Sequence, residues 1–343
     1  MIGRIGGVNI RIRISSPSRL HLGDIDPFGL GRFGYAILVG IEFPRTVIEV
    51  KESDSIEIEF EKSRNWSGVE ENEREEIRRY AERTLNNLGA PGAKISVISH
   101  PPRHYGLGST TQLSLSVGLG IFLAYGKKAS HSKIMKILKR TSAGGIHTFE
   151  RGGFVVSGGF EFPRKRFRIS NQEKPVFPPL ILRKEFPEEW RFVVAWHRKA
   201  PPGPSGEEEE NAFEDLQDLE PPKELIHEAH FLINTKLVPA VLEKNPVKFG
   251  EALTRVQTLV GELYSPVQTG TYNPASAPLL EQLSECEESL GFGQSSWGPA
   301  VYSLARDENA ATKIIKETLK TTNAEIHAVG ADNKGRQIEI LES

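Results

Sequence analysis

The segment of this 343-residue chain best suited to hold an anion is Gly106-Leu107-Gly108-Ser109-Thr110-Thr111. Glycines at 106 and 108 let the backbone approach a ligand closely and adopt positive φ. Ser109, Thr110 and Thr111 can cap a following helix or offer hydroxyls to oxygen ligands. A helix starting there adds free N–H groups and a partial positive charge, which attract phosphate. Arg103 and His104 stand just upstream as countercharges. The segment is not a Walker A loop, since Gly-Lys-Ser/Thr is missing. It also departs from the dinucleotide G-x-G-x-x-G pattern, because Thr111 occupies the third glycine position. A capped strand–helix turn without a ligand is the other reading of the same residues.

A loop of this kind needs a strand before it and a helix after it. "AKISVISH" alternates like a strand, and the apolar run from Gln112 reads as a buried helix. "VNIRIRIS" and "TVIEVKESDSIEIEF" supply further strands upstream. "EENEREEIRRYAERTLNNLG" reads as an exposed helix ending at Gly89, and "SHSKIMKILKR" as a helix with a Ser cap. "GGFVVSGGFEFPRKRFRI" reads as a glycine-hinged pair of strands. After "RFVVAW", the stretch "HRKAPPGPSGEEEENAFEDLQDLEPP" reads as a long polar loop without structure, of the kind that carries function. Helices follow over about 223–264 and 275–290, then a mixed finish. Regular parallel βαβ spacing is missing, so the class is α+β with two domains, 1–175 and 176–343, divided at the composition shift near Pro175.

Composition excludes several functions. Net charge is −2, so nothing global points to nucleic acid or an anionic membrane. The single cysteine, Cys286, excludes an intramolecular disulfide and a cysteine metal cluster; it favours a reducing compartment, hence the cytoplasm, and reads as a buried hydrophobe. The longest nearly apolar run, 113–126, is too short for a typical membrane span.

Four segments in order, "SPSRLHLGDID", "PPRHYGLGSTTQ", "GGIHTFERGGFVVSGG" and "GFGQSSWGP", resemble the motifs of the GHMP kinase superfamily. The resemblance spans most of the chain. It implies an N-terminal domain like the second domain of ribosomal protein S5, a ferredoxin-like C-terminal domain, a phosphate site on the glycine loop, and a homodimer. One feature departs from a kinase. Many of the kinases carry an Asp in the segment before the central Gly-Gly strand, where this chain has Ser142-Ala143-Gly144-Gly145-Ile146-His147, with no carboxylate before Glu150. His147 stands near the expected position, as a base or as a structural histidine at a helix end.

A narrower resemblance, carried by "SPSRLHLGDID", "GLGRFGYAI", "GLGSTTQ", "FERGGFVVSGG" and "GEEEENAF", is to the β-ribofuranosylaminobenzene 5′-phosphate synthases. These belong to the GHMP superfamily without being kinases. The resemblance implies joining an aminobenzoate or hydroxybenzoate to phosphoribosyl pyrophosphate, with loss of carbon dioxide and pyrophosphate, for methanopterin-type cofactors. Magnesium is the implied metal. A small-molecule kinase and a non-catalytic phosphometabolite binder are the alternatives.

The residues then take candidate roles. Gly106, Leu107, Gly108, Ser109, Thr110 and Thr111 would hold the pyrophosphate, Leu107 through its backbone only. Arg19 and His21 alternate, so both lie on one strand face, where they would meet a carboxylate or phosphate. Asp24 and Asp26 also alternate, and either could bind magnesium or orient the amine or hydroxyl of the acceptor; Asp26 fits the family pattern better, and a turn into Pro27 and Gly29 is the other reading, above all for Asp24. Asp26 and Ser109 are the candidate magnesium ligands. Arg32 and Arg103 are candidate anion clamps, Arg32 equally a surface turn residue. Gly293, Ser295 and Ser296 belong to a third loop supporting the phosphate site, where Trp297 either stacks on an aromatic acceptor or packs in the core. Glu207–Glu210 read as a solvated charge run, with a metal or lid role as the alternative. The basic run "PRKRFRI" reads as surface, with phosphate capture as the alternative.

Overall fold

The computed structural model describes residues 10–61, 71–142, 144–161 and 177–341. The basic run at 163–169, the second strand expected there, Ala143 and the composition shift at Pro175 lie outside the described residues.

Two sheets organise the chain. In the first, β1 (Arg11–Asp24) pairs antiparallel with the long β2 (Arg32–Ser53). The length of β2 lets it serve two neighbours. Its first half, Arg32 to Val39, pairs with β5 (Phe154–Glu161), and its second half, Val47 to Ser53, pairs with β4 (Gly92–Ser99). β3 (Ile56–Phe60) lies parallel to β4 at one edge. Two strands from later in the chain complete this sheet: β6 (Leu180–Lys184) on β5, and β11 (Gln337–Leu341) on β1. A cut at 175 would therefore leave two strands of the first sheet with the second half of the chain.

The second sheet has the order β10-β7-β9-β8, from β7 (Arg191–Trp196), β8 (Gly291–Gln294), β9 (Val301–Ala305) and β10 (Glu325–Val329). A helical run, α5 (Glu207–Gln217), α6 (Lys223–Leu232), α7 (Val238–Leu242), α8 (Pro246–Gln268) and α9 (Ala277–Glu285), separates β7 from β8, and α10 (Glu308–Thr318) separates β9 from β10. That is the βαββαβ order of a ferredoxin-like domain, as the motif resemblance implied.

The helices follow the apolar pattern. α1 (Glu71–Leu88) ends at Gly89, as its sequence predicts, but it is not wholly exposed. Ile77, Tyr80, Ala81, Thr84 and Leu85 bury one face at i, i+3, i+4, i+7 and i+8 spacing, the signature of an amphipathic helix packed on a core. α2 (Ser109–Ala124) is buried nearly all round, against β1 and β2 on one side and α1 on the other. α3 (His131–Leu138) starts at Ser130, whose Oγ accepts from Lys133 N at 3.2 Å. The stretch expected to be a structureless loop contains a helix, α5 (Glu207–Gln217). Four glutamates fill its first turn, where the helix dipole favours negative charge, and Phe213 and Leu216 bury its inner face. α8 (Pro246–Gln268) crosses between the sheets. Its Gln257 donates to Leu22 O at 2.6 Å and accepts from Gln294 N at 2.8 Å, which ties the end of β1 to β8. No helix among the described residues is long and apolar enough to cross a membrane.

Candidate active site

A cavity of about 520 Å³ opens where the end of β1, the glycine loop, the first turn of α5, and the third loop meet. The glycine loop is shaped by its backbone. Gly106 and Gly108 have φ of 79° and 78°, and the loop packs so closely that a Cβ on Gly106 would lie 1.9 Å from Ser295 O. α2 begins directly after Gly108 with no side-chain cap, so its first N–H groups are left for another acceptor. Ser109, Thr110 and Thr111 line the cavity. Leu107 is fully buried in the core and contributes backbone only.

Arg19 anchors this loop. Its Nη1 donates to Gly106 O at 2.7 Å, and its own N–H donates to Leu107 O at 3.1 Å. Burial lowers its guanidinium to about 10, against the raising effect of Glu209. Ser295 does not face the cavity. It is fully buried and works as a pin, with Oγ donating to Gly106 O at 2.7 Å and accepting from His21 N at 2.9 Å. Ser296 does line the cavity. Gly293 sits behind it, against Gln257, where a Cβ would lie 2.3 Å from Oε1. His21 lines the cavity and is held neutral, first by burial and then by Arg19 beside it.

Three further predicted residues are placed elsewhere. Asp26 is spent on backbone: Oδ1 accepts from Leu30 N at 2.8 Å, and Oδ2 accepts from Gly31 N at 2.6 Å and Arg32 N at 3.0 Å. It holds the turn between β1 and β2 rather than a metal or substrate. Replacing Asp26 by alanine orphans three N–H groups, at about 1–3 kcal/mol each when buried; the expected result is a large fall in melting temperature, read by calorimetry. Arg32 is committed as well, donating to Gly158 O at 2.5 Å and Gly159 O at 3.0 Å, so it clamps β5 and not an anion. His147, on the short α4 (Gly145–Arg151), turns its Nε2 to Pro178 O at 3.1 Å, away from the cavity. His147→Gln is expected to leave turnover within about threefold of wild type, as for substitutions remote from a site; a rate assay checks it.

Other side chains complete the site. Asp24 lines the cavity although alternation from Arg19 and His21 points it away. The register of β1 on β2 shifts between His21 and Gly23, and this bulge brings both Gly23 and Asp24 to the same side. Burial raises the Asp24 carboxyl to about 7; Asp26 and Glu209 push the same way, and a hydrogen bond from Tyr264 opposes them. Asp24 Oδ1 is buried with no hydrogen-bond partner. Glu209 is also raised by burial, and accepts from Trp297 Nε1 at 3.1 Å. A second cationic group, Arg79, Arg103 and Arg140, lines the cavity near α1. Arg103 pairs with Glu76 and Glu73, while its Nη1 is buried without a hydrogen-bond partner. His104 is lowered by burial and then by Arg103.

Residues 75–153 match the model of the GHMP kinases N terminal domain, and residues 237–321 match that of the GHMP kinases C terminal. The chain resembles the mevalonate kinase of L. major in complex with R-mevalonate, with a TM-score of 0.69 at 13% identity over 95% of this chain and 96% of that one. It is 34% identical to the β-ribofuranosylphenol 5′-phosphate synthase of Methanocaldococcus jannaschii, over 85% of this chain and 88% of that protein. It is 32% identical to the synthase of the same name from Archaeoglobus fulgidus, over 96% of this chain and 100% of that protein. The chain belongs to the β-ribofuranosylphenol 5′-phosphate synthase family, within the GHMP kinase superfamily. The likeness to mevalonate kinase, at low identity, bears on the fold alone.

For this synthase family member, sequence reasoning missed Tyr264, Arg79 and Arg140, ranked Asp24 first as a turn residue, and left Glu209 inside a charge run. The Glu run had a readable signal in Phe213 and Leu216, spaced to bury one face of a helix. The bulge that redirects Asp24 has no local signal.

Proposed function

We propose that this chain joins 4-hydroxybenzoate to C1 of 5-phosphoribosyl 1-pyrophosphate, releasing carbon dioxide and pyrophosphate in a methanopterin-type pathway. The observation that carries the reading is one cavity combining an uncapped helix N-terminus with Arg19, a second arginine group, and aromatic walls. A donor with two phosphate groups and a flat acceptor need those three surfaces. The related synthases are named for a ribofuranosylphenol, which favours the hydroxy acid over the amino acid as acceptor.

The chemistry asks for leaving-group stabilisation. The N–H groups of the loop and α2, with Arg19, take up charge as the C1–oxygen bond breaks and its electron pair leaves on pyrophosphate. The acceptor ring carbon that bears the carboxylate forms the new bond. The carboxylate then leaves as carbon dioxide, and its bonding pair restores the aromatic ring. No base need act on an alcohol, consistent with the segment before β5 carrying no carboxylate until Glu150. The arginines beside α1 suit the 5′-phosphate.

Among the described residues, magnesium finds no ready-made centre. No group of three His, Cys, Asp or Glu side chains among the described residues is spaced to hold a metal, and Asp26 is occupied by backbone. Magnesium typically binds through few protein ligands plus substrate phosphates, so we assign it to the pyrophosphate, with the Ser109 hydroxyl as the donor the chain can add. A homodimer belongs to the proposal and is checked by light scattering.

The test is carboxyl-labelled 4-hydroxybenzoate with phosphoribosyl pyrophosphate and magnesium. Labelled carbon dioxide and pyrophosphate are expected in equal amounts. No release, alongside ADP formation from ATP with an alcohol panel, would favour a kinase instead.

A further inference from the structure

Phe33, Phe160, Phe213, Tyr264 and Trp297 form one apolar side of the cavity. They come from β2, β5, α5, α8 and the third loop; Phe33, Phe213, Tyr264 and Trp297 brace one another edge to face, and Phe160 packs in the same apolar cluster. Phe33 and Phe213 lie 5.0 Å apart between ring centroids, Tyr264 and Trp297 4.9 Å, and Phe213 and Trp297 5.6 Å. All five are nearly buried, so the box is pre-formed. Asp24 lines the same cavity, in reach of the Tyr264 hydroxyl, with Oδ1 buried and unpartnered. A buried carboxylate oxygen without a partner is costly, and a hydrogen-bond donor on a ligand relieves it. Apolar walls with one such acceptor fit a flat ring carrying a donor group.

We infer that these five rings form the acceptor subsite, and that Asp24 takes the proton of the acceptor's para hydroxyl as the new carbon–carbon bond forms. This rests on the reaction proposed above and adds the residue that discriminates hydroxy from amino acids. As the ring carbon attacks C1 of the ribose, the O–H bonding pair moves into the ring and the proton passes to Asp24. Pyrophosphate leaves with the C1–oxygen pair. When carbon dioxide leaves, its pair rebuilds the ring as a phenolate, and Asp24 returns the proton. A para-amino acceptor keeps both N–H hydrogens through the attack and carries the charge as an iminium, so it needs no proton acceptor in that step. The charged and titratable groups facing Asp24 are Asp26 beyond its own strand, Glu209 from α5 and Tyr264 from α8. Burial first, then Asp26 and Glu209, raise it to about 7 against the hydrogen bond from Tyr264, and near neutrality a proton can be taken and returned.

Steady-state rates with 4-hydroxybenzoate and 4-aminobenzoate, across a range of pH, test this with wild type, Asp24→Asn and Tyr264→Phe. Wild-type kcat with the hydroxy acid is expected to rise as pH rises through about 7, as Asp24 deprotonates. Asp24→Asn is expected to lower that kcat by about 10²–10⁴-fold and to flatten the rise, with a much smaller loss on the amino acid. Tyr264→Phe removes a hydrogen bond that favours the charged carboxylate, so the midpoint is expected to move up by about one pH unit. Thermal melts check that both variants fold. Equal losses on both acids, or an unchanged pH profile in Asp24→Asn, would overturn the inference while leaving the reaction standing. If wild type uses the hydroxy acid alone, the pH profiles decide. Inactivity of the wild type with both acids would overturn the reaction and this inference together.

Discussion

Gly106→Ala is expected to abolish phosphoribosyl transfer and to destabilise the chain severely. At φ 79° an alanine is in the left-handed region, which costs about 1–2 kcal/mol for an L-residue. The larger effect is steric. Its Cβ would sit 1.9 Å from Ser295 O, inside the contact that seats the third loop on the glycine loop. Relief requires moving backbone, and Ser295 cannot move alone, because it also accepts from His21 N and donates to Gly106 O. Substitutions combining strain with a buried backbone clash reach the exceptional range, above about 4 kcal/mol. The expected readings are a fall in melting temperature by calorimetry and no detectable carbon dioxide release. Retention of the wild-type melting temperature would mean the two loops are not packed as described.

Arg19→Met is expected to keep the fold and lose the chemistry. The loop retains two contacts, since Ser295 Oγ still donates to Gly106 O at 2.7 Å and the residue 19 backbone N–H still donates to Leu107 O at 3.1 Å. What goes is the cation beside the α2 N-terminus. Removing one preorganised donor to a developing anion typically costs about 10²–10³ in rate. Glu209 responds too: Arg19 is one of the charges holding its carboxyl down, so its pKa rises further in the variant. The expected result is a fall in kcat/KM of that size with a melting temperature close to wild type, partly restored by Arg19→Lys. Activity within threefold of wild type would remove Arg19 from the leaving-group site.

The contrast between these two positions shows what was legible. Gly106 and Arg19 were both readable, one as a glycine demanding positive φ, the other as a polar residue on an alternating strand. The C-terminal sheet order also followed the motif resemblance. Residue type misled where a polar side chain had two possible customers. Asp26 and Arg32 look like ligand residues, yet both serve backbone groups within the turn and on β5. His147 has the chemistry of a base, but its ring is taken by Pro178 O.

By itself, the sequence determined the anion loop and its setting. Positive φ at glycine, helix N-terminal charge and strand-to-helix order are properties of a few neighbouring residues, and the absence of an Asp before β5 could be read directly. Only the tertiary structure decided which carboxylates meet the loop. Asp24 is turned inward by a bulge in the pairing of β1 with β2. Glu209 and Tyr264 reach it from α5 and α8, helices far along the chain. Desolvation and the company of other charges shift the protonation of these groups, and both arise from packing between distant segments, which local spacing does not encode.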